Sequence, residues 1–167
     1  MNRVLVVCYS RGGTTRRVAE QLAESLEADL DEIEEADGRS GGFGYVRSAL
    51  EALAKGLPTI RTRRDPSDYD QVIIGTPVWA GTMASPIRSY LFRHQGRLPR
   101  LAFFAVMGGQ GAERVLREMQ LACGVDDAPT FFTTQHRIER DGAVDGIRDF
   151  VRRLRPAGAV SQRVAAA

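Results

Sequence analysis

The chain has 167 residues, 43% hydrophobic and 26% charged, with 23 Lys and Arg against 21 Asp and Glu. This length suits one domain with a sizeable core, and a formal net charge of +2 is too small to indicate binding to nucleic acid or to an anionic membrane. No apolar run approaches the roughly 18 residues of a membrane span, and the N-terminus lacks the apolar core and cleavage site of a signal peptide. Cys8 and Cys123 lie in apolar settings without metal-ligand spacing, which predicts buried, reduced thiols in a cytoplasmic protein.

Five apolar segments predict the strands of a sheet. Residues Val4 to Val7 form a continuous run rich in β-branched residues, which is typical of a strand covered on both faces. The mixed segment ADLDEIEEAD favours an edge strand. The remaining strands are predicted at QVIIG, LAFFAVM and TFFTTQ, and the segment TPVWAGTMASP is expected to end the first of these three.

Helical patterns alternate with these strands. Val18, Leu22 and Leu26 form one apolar stripe, and a second stripe extends from Val46 to Leu53. Further helices are predicted at IRSYLFRH, over 112–122 and at DGIRDFVRRLR, the last with Asp141 or Asp145 as its N-cap. The alternation predicts a three-layer, doubly wound α/β domain with a parallel sheet and right-handed crossovers, over residues 1–156, followed by a flexible tail over 157–167.

Three loops of this sheet are rich in glycine or hydroxyl residues. Ligands of doubly wound sheets bind beyond the carboxyl ends of the strands, where the strand order reverses, and all three loops follow strands at that edge. The candidate binding residues are Ser10, Arg11, Gly12, Gly13, Thr14 and Thr15 after the first strand, Thr76, Pro77, Val78, Trp79, Ala80 and Gly81 after the third, and Met107, Gly108 and Gly109 after the fourth.

The first of these loops has the composition of a phosphate site. Gly12 and Gly13 allow the backbone to turn sharply and to present successive N–H groups to an anion, and the following helix adds its unpaired N–H groups and positive dipole end. Ser10, Thr14 and Thr15 add hydroxyl donors. The alternative interpretation is an ordinary glycine turn followed by a threonine N-cap.

The second loop contains the only tryptophan of the chain. Trp79 is predicted on an irregular segment between Pro77 and Gly81, where it offers a flat stacking surface to a planar ligand. The alternative is that Trp79 packs beneath its own loop. The glycines at 108 and 109 could present N–H groups to a ring carbonyl, or form a simple turn before a helix.

Other polar residues give weaker signals. Arg61, Arg63 and Arg64 could contact a nicotinamide cofactor's phosphate or an acidic partner, although a solvated loop is the favoured interpretation. His94 and His136 have no carboxylate or cysteine at suggestive spacing, so neither is assigned a catalytic role. The sequence contains no Ser/His/Asp set and no metal-ligand pattern.

The segments VLVVCYSRGGTTRRVAEQLAE and YDQVIIGTPVWAG resemble the flavodoxin family of FMN-binding proteins, and the resemblance extends from Val4 to Leu154. The phosphate loop of that family usually reads Ser-x-Thr-Gly-Asn-Thr. Ser10, Gly13 and Thr15 match it, whereas Gly12 replaces the threonine and Thr14 the asparagine.

This resemblance implies five parallel strands in the order 2-1-3-4-5 and non-covalent FMN. It further implies that the first loop holds the phosphate, that Trp79 packs at the isoalloxazine ring, and that Met107 to Gly111 borders its pyrimidine side. No side chain need act as an acid or base, so no catalytic residue is assigned.

Three functions remain open at this point. The favoured one is an FMN-dependent oxidoreductase that passes electrons from NAD(P)H to a quinone or similar acceptor, because the chain is slightly basic whereas electron-carrier flavodoxins are typically acidic. The second is a one-electron carrier between protein partners, and the third is a phosphate-binding or interaction module that has lost FMN. A homodimer is one assembly that the sequence leaves open.

Overall fold

The structure, a computed structural model, describes residues 3–36 and 57–154. Its strands are β1 (Val4–Cys8), β2 (Asp29–Glu32), β3 (Glu34–Glu35), β4 (Ile60–Arg61), β5 (Gln71–Trp79), β6 (Thr82–Met83), β7 (Arg100–Met107) and β8 (Thr130–Thr134). Its helices are α1 (Thr14–Leu26), α2 (Ser85–Arg93), α3 (Ala112–Cys123), α4 (Gln135–Asp141) and α5 (Val144–Leu154). The helix predicted around 46–53 and the tail predicted over 157–167 lie outside the described residues. No helix within the described ranges combines the length and the apolar character that crossing a membrane requires.

The central sheet has the predicted order. Strands β2, β1, β5, β7 and β8 pair in parallel in that sequence, which corresponds to 2-1-3-4-5 for the five predicted strands. The order reverses between β1 and β5, whose residues pair from Val4 opposite Gln71 to Cys8 opposite Gly75. The carboxyl ends of these two strands therefore open side by side, which is where a doubly wound sheet binds its ligands.

Helices cover both faces of the sheet. Alternate residues of the central strands point to opposite faces, so Val6 and Ile73 pack against α1 and α5 while Val7 and Ile74 pack against α2 and α3. Both clusters are closed to solvent, which explains why the strands read as continuous apolar runs. The predicted three-layer architecture is confirmed.

The strand β5 is longer than the sequence predicts. It was expected to end before Thr76, but it continues through Trp79 and turns back into β6, with Val78 opposite Met83 and Trp79 opposite Thr82. The proline at 77 does not stop it, because β1 ends opposite Gly75 and β5 is paired on only one side at Pro77. Trp79 is therefore on a β-hairpin, and the predicted irregular segment is wrong.

Two short elements were also missed. The predicted edge strand divides at Ile33 into β2, parallel to β1, and β3, antiparallel to β4. Helix α4 starts immediately after β8, and the hydroxyl of Thr134 caps it by accepting the N–H of Arg137 at 3.2 Å. Asp141, a predicted cap of the last helix, accepts the N–H of Ala143 just before α5 begins, whereas Asp145 lies in its first turn.

Gly75 is a packing constraint at the centre of the sheet. A Cβ atom at this position would lie 1.9 Å from the nearest atom of the Phe104 ring, which is itself fully buried. The ring thus occupies the space that any larger residue on β5 would need.

We expect Gly75→Ala to lower the free energy of unfolding by about 2–3 kcal/mol, because a buried ring and two paired strands must move to admit one methyl group. The control is Gly109→Ala, where a Cβ atom would have no neighbour within 4 Å and the backbone φ is not positive. Urea denaturation of both variants measures the difference, and equal stability of the two would contradict the packing argument.

The two cysteines are free thiols, with Cys8 fully buried and Cys123 partly buried. Burial raises the pKa of Cys8 to about 12, with a smaller contribution from the carboxylate of Glu32, and burial raises the pKa of Cys123 to about 11. A raised thiol pKa keeps the group protonated, so the reactive thiolate appears only as the pH approaches these values.

We therefore expect native Cys8 to resist alkylation at pH 8, where its thiolate is roughly one part in ten thousand of the thiol. Cys123 should react faster because it is less buried and its pKa is lower. Peptide mass spectrometry after timed iodoacetamide treatment separates the two sites. Labelling of Cys8 at the same rate in native protein and in urea would overturn this expectation.

Candidate functional site

A cavity of about 640 Å³ opens at the carboxyl edge of the sheet, within the range of roughly 300–1,000 Å³ common for small-molecule sites. Its lining consists of Ser10, Arg11, Gly12, Thr14, Thr15, Pro77, Val78, Trp79, Val106, Met107, Gly108 and Gln135. The three predicted loops thus meet in one cavity. Of the predicted residues, Gly13, Thr76, Ala80, Gly81 and Gly109 are not part of this lining.

The loop after β1 leads directly into an uncapped helix. Gly13 is the N-cap residue of α1, with a left-handed backbone at φ 82°, and no side chain accepts a hydrogen bond from the first turn. Thr14 and Thr15 are the first helical residues, so the alternative of a threonine N-cap is wrong. The first N–H groups of a helix have no intrahelical acceptor, and together with the helix dipole they make this end of the cavity attractive to an anion.

Ser10 adds a buried hydroxyl without a partner. Its Oγ atom is closed to solvent and has no hydrogen-bond partner among the described residues. A buried polar atom left unpaired costs roughly 1–3 kcal/mol, so a hydroxyl in this position at a cavity wall indicates a group that a ligand satisfies. Gly12 beside it has nothing within 4 Å of an added Cβ, which leaves its backbone accessible.

Trp79 lies at the end of β5, where a two-residue turn reverses the chain. Ala80 and Gly81 both have positive φ angles, 48° and 74°, as a type I′ hairpin turn requires. The indole is 37% exposed and lines the cavity, so it does not pack beneath its own loop. Its ring meets that of Tyr9 edge to face, with centroids 5.7 Å apart.

Side chains from two helices hold this hairpin. The hydroxyl of Thr82, directly opposite Trp79, accepts from the Arg88 guanidinium at 2.9 Å and donates to the carboxylate of Glu118 at 3.3 Å. Arg88 and Glu118 also form an ion pair of 2.8 Å with each other. These contacts connect the hairpin to α2 and α3, and none of the three residues lines the cavity.

Thr76 supports the same hairpin from within the core. Its side chain is fully buried, and its Oγ1 atom accepts the Ala84 N–H at 3.0 Å and donates to the Pro77 carbonyl at 2.9 Å. The hydroxyl predicted to contact a ligand is thus engaged in joining the end of β6 to β5. At the tip, a Cβ on Gly111 would lie 3.4 Å from the Cα of Gly81, so the hairpin and the loop after β7 are in close contact.

Charged and phenolic groups lie close to Trp79. The guanidinium carbon of Arg11 lies 5.4 Å from the indole centroid, within the range of a cation–π contact. Tyr9 donates its phenolic hydrogen to the carboxylate of Glu35. Burial, followed by this hydrogen bond, raises the pKa of Tyr9 to about 12 against the opposing effect of Arg11, so the phenol remains protonated near neutral pH.

Two cavity residues were missed by the sequence analysis. Val106 precedes the predicted Met107 on β7, and Gln135 is the first residue of α4. Gln135 could have been found, because β8 is parallel to β7 and its carboxyl end opens at the same edge. Its amide donates to Glu139 at 2.9 Å, which leaves the amide oxygen as an acceptor at the cavity.

The other polar residues considered in the sequence lie elsewhere. Arg63 pairs with Glu34 at 2.8 Å and Arg64 with Asp29 at 3.0 Å, so acidic partners at the sheet edge neutralise much of that basic cluster. His94 is buried, and burial lowers its pKa. Within residues 3–36 and 57–154, no group of three His, Cys, Asp or Glu side chains is arranged to hold a metal ion.

Solved structures with the same fold include several flavoproteins. The chain is similar to a flavoprotein in complex with FMN from Lactobacillus acidophilus NCFM, with 22% identity, 84% of this chain and 98% of that chain covered, and a TM-score of 0.60. A flavodoxin, WrbA-like protein from Agrobacterium tumefaciens matches at 20% identity over 92% and 94% of the two chains, with a TM-score of 0.59. The apo form of an NADH:FMN oxidoreductase matches at 17% identity over 91% and 88%, with a TM-score of 0.57.

These three similarities establish the fold. Sequence comparison gives the family: a family model described as Flavodoxin matches residues 3–130, which include β1 to β7 and the three loops of the cavity. The chain belongs to the flavodoxin family.

Proposed function

We propose that this protein binds FMN non-covalently and acts as an oxidoreductase that passes electrons from NAD(P)H to a quinone or similar acceptor. The observation that carries the FMN assignment is the unpaired, buried Oγ of Ser10 beside the uncapped N-terminus of α1. Ser10 and the first residues of α1 line the same cavity, so hydroxyl and backbone donors are available there to a phosphate monoester. Family membership and the FMN complex of the Lactobacillus acidophilus flavoprotein support the same ligand.

The donor set fits the two ends of this cofactor. The residues proposed for the phosphate are Ser10, Gly12, Gly13, Thr14 and Thr15, and those proposed for the ring are Thr76, Pro77, Val78, Trp79, Ala80, Gly81, Met107, Gly108, Gly109 and Gln135. Of the ring set, Thr76 would act through the hairpin that it supports, and Ala80 and Gly81 through the turn that places Trp79. Arg11 lies between the two groups, since it belongs to the first loop and reaches the indole.

FMN, when bound, supplies hydride and electron transfer through its isoalloxazine ring, so the protein's task is to position the ring and to control its charge. Trp79 offers one wall for stacking, and the aliphatic side chains of Val78 and Val106 exclude water from the cavity interior. Among the described lining residues there is no histidine and no carboxylate. Proton transfer by a side chain is therefore not part of the proposed mechanism.

The enzymatic role is favoured over that of a carrier by two observations. The formal net charge of +2 gives the chain no overall acidic character for docking a redox protein partner. The NADH:FMN oxidoreductase with the same fold supports NAD(P)H as the donor, although at 17% identity it informs the fold more than the substrate.

We expect purified protein to be yellow or to quench flavin fluorescence on titration with FMN. Ser10→Ala and Trp79→Ala should each weaken FMN binding about tenfold, because the first removes a hydroxyl donor to a charged phosphate and the second a stacking surface. Leu121→Ala is the matched control, since Leu121 is 61% exposed and lies outside the cavity lining. Absence of quenching by the unmodified protein would exclude both redox functions and leave a module without FMN.

The choice between enzyme and carrier depends on turnover. With FMN bound, we expect the protein to oxidise NADH or NADPH in the presence of a quinone, followed as the loss of absorbance at 340 nm. Free FMN at the same concentration is the control for non-enzymatic reduction. A protein that binds FMN but gives no turnover with either nucleotide would contradict the enzymatic role and support the carrier.

A further inference from the structure

We propose that Arg11 stabilises the negative charge that reduction adds to the FMN ring, and so biases this site towards the fully reduced cofactor. This inference rests on the proposed function, because it assumes that FMN occupies the cavity at the carboxyl edge. It assigns Arg11 to the ring, whereas a basic residue in a phosphate loop would ordinarily be assigned to the phosphate.

The charges of the residues that line the cavity are the first observation in favour of this role for Arg11. Among the described residues that line it, Arg11 is the one with a formal charge, and the others are glycine, hydroxyl, apolar, aromatic or amide residues. A ring that gains negative charge in this cavity therefore faces a guanidinium and no carboxylate. Strongly acidic surroundings would have the opposite effect and would raise the free energy of the reduced form.

The position of the Arg11 guanidinium is the second observation in favour of this role. Arg11 follows Ser10 in the first loop, yet its charged group lies over the indole of Trp79, at 5.4 Å from the ring centroid, and both side chains line the cavity proposed for FMN. It takes part in no ion pair within the described part of the chain. Arg16, five residues later, is different: its guanidinium contacts Glu20 at 2.8 Å and Glu32 at 3.3 Å, so its charge is already balanced.

An acidic group, Glu35, belongs to a neighbouring cavity. Glu35 accepts the Tyr9 hydroxyl and, with Arg11 and Trp79, lines a second cavity of about 390 Å³, but it does not line the cavity proposed for FMN. Arg11 and Trp79 line both cavities. The carboxylate offsets part of the field of Arg11, but among the described residues the guanidinium is the charged group that belongs to the lining of the cavity proposed for FMN.

The electron balance explains why this charge matters. Hydride transfer from NAD(P)H brings two electrons and one proton to the flavin and releases NAD(P)⁺, so the ring acquires one negative charge. A fixed cation nearby lowers the free energy of that state relative to the oxidised one, and partial solvent exposure of Arg11 limits the effect through screening. We expect the positive charge to be worth about a fivefold preference for reduced over oxidised FMN.

The test compares Arg11→Gln, Arg11→Lys and the control Arg17→Gln, an exposed arginine of α1 that lies outside the cavity lining. An anaerobic spectroscopic titration against a reference dye gives the midpoint potential of bound FMN, and fluorescence gives the dissociation constant of the oxidised form. Arg11→Gln should lower the preference for reduced FMN about fivefold, which is about 20 mV more negative for a two-electron couple. Arg11→Lys and Arg17→Gln should remain near the unmodified value, and the shift should shrink in high salt.

Equal potentials for Arg11→Gln and Arg17→Gln would overturn the assignment while leaving FMN binding intact. Weaker binding of oxidised and reduced FMN by the same factor in Arg11→Gln, with the midpoint potential unchanged, would also overturn it and return Arg11 to the phosphate. If the unmodified protein binds no FMN, the proposed function itself fails, and that outcome is recognised before any variant is compared.

Discussion

The strand β5 extends beyond its neighbour β1, and the arrangement of the cavity depends on this difference in length. Up to Gly75 the strand pairs with both β1 and β7. Thr76 and Pro77 pair with β7 alone, and Val78 and Trp79 pair with β6. The last residue of β5, Trp79, is held opposite Thr82 by the hairpin that follows. The position of the indole is thereby coupled to the packing of the sheet, since any shift of β5 in register would move Trp79 by a full residue and turn it to the other face.

Contacts among the loops make the site a single unit rather than three independent segments. Gly81 at the hairpin tip approaches Gly111 in the loop after β7, and Arg11 from the first loop reaches Trp79. Glu118 of α3 also connects to the hairpin, through the hydroxyl of Thr82. Each exposed ion pair contributes about 1 kcal/mol or less to folding stability. Contacts from several elements nevertheless restrict the hairpin before a ligand binds, so less conformational entropy is lost on binding.

The fold could be predicted from the sequence because it depends on periodicity. Apolar runs gave the parallel strands, stripes at i, i+4 gave the helices, and glycine and hydroxyl residues marked the edge that binds. The hairpin at Trp79 could not be found in this way. Its turn places Ala80 at a positive φ, which alanine rarely adopts, so no local sequence pattern predicts this turn. The fit of Gly75 against Phe104 joins residues far apart in sequence, so only the assembled sheet reveals it.

The N-terminus of α1 explains why the cavity can have neutral donors at its phosphate end and a charged side chain, Arg11, near Trp79. With Gly13 as its N-cap and no side-chain acceptor, the helix presents unpaired N–H groups, and Ser10 adds a hydroxyl, so this end can attract an anion with dipoles alone. A lysine is not needed there, and the first arginine of the helix is balanced by its own acidic neighbours. The charge of Arg11 lies instead at Trp79. In the proposed function it would there act on a ring whose charge changes when it is reduced. In that proposal, neutral donors are sufficient for the phosphate, because its charge does not change on reduction. A fixed cation has a larger effect near the ring, because the ring gains negative charge.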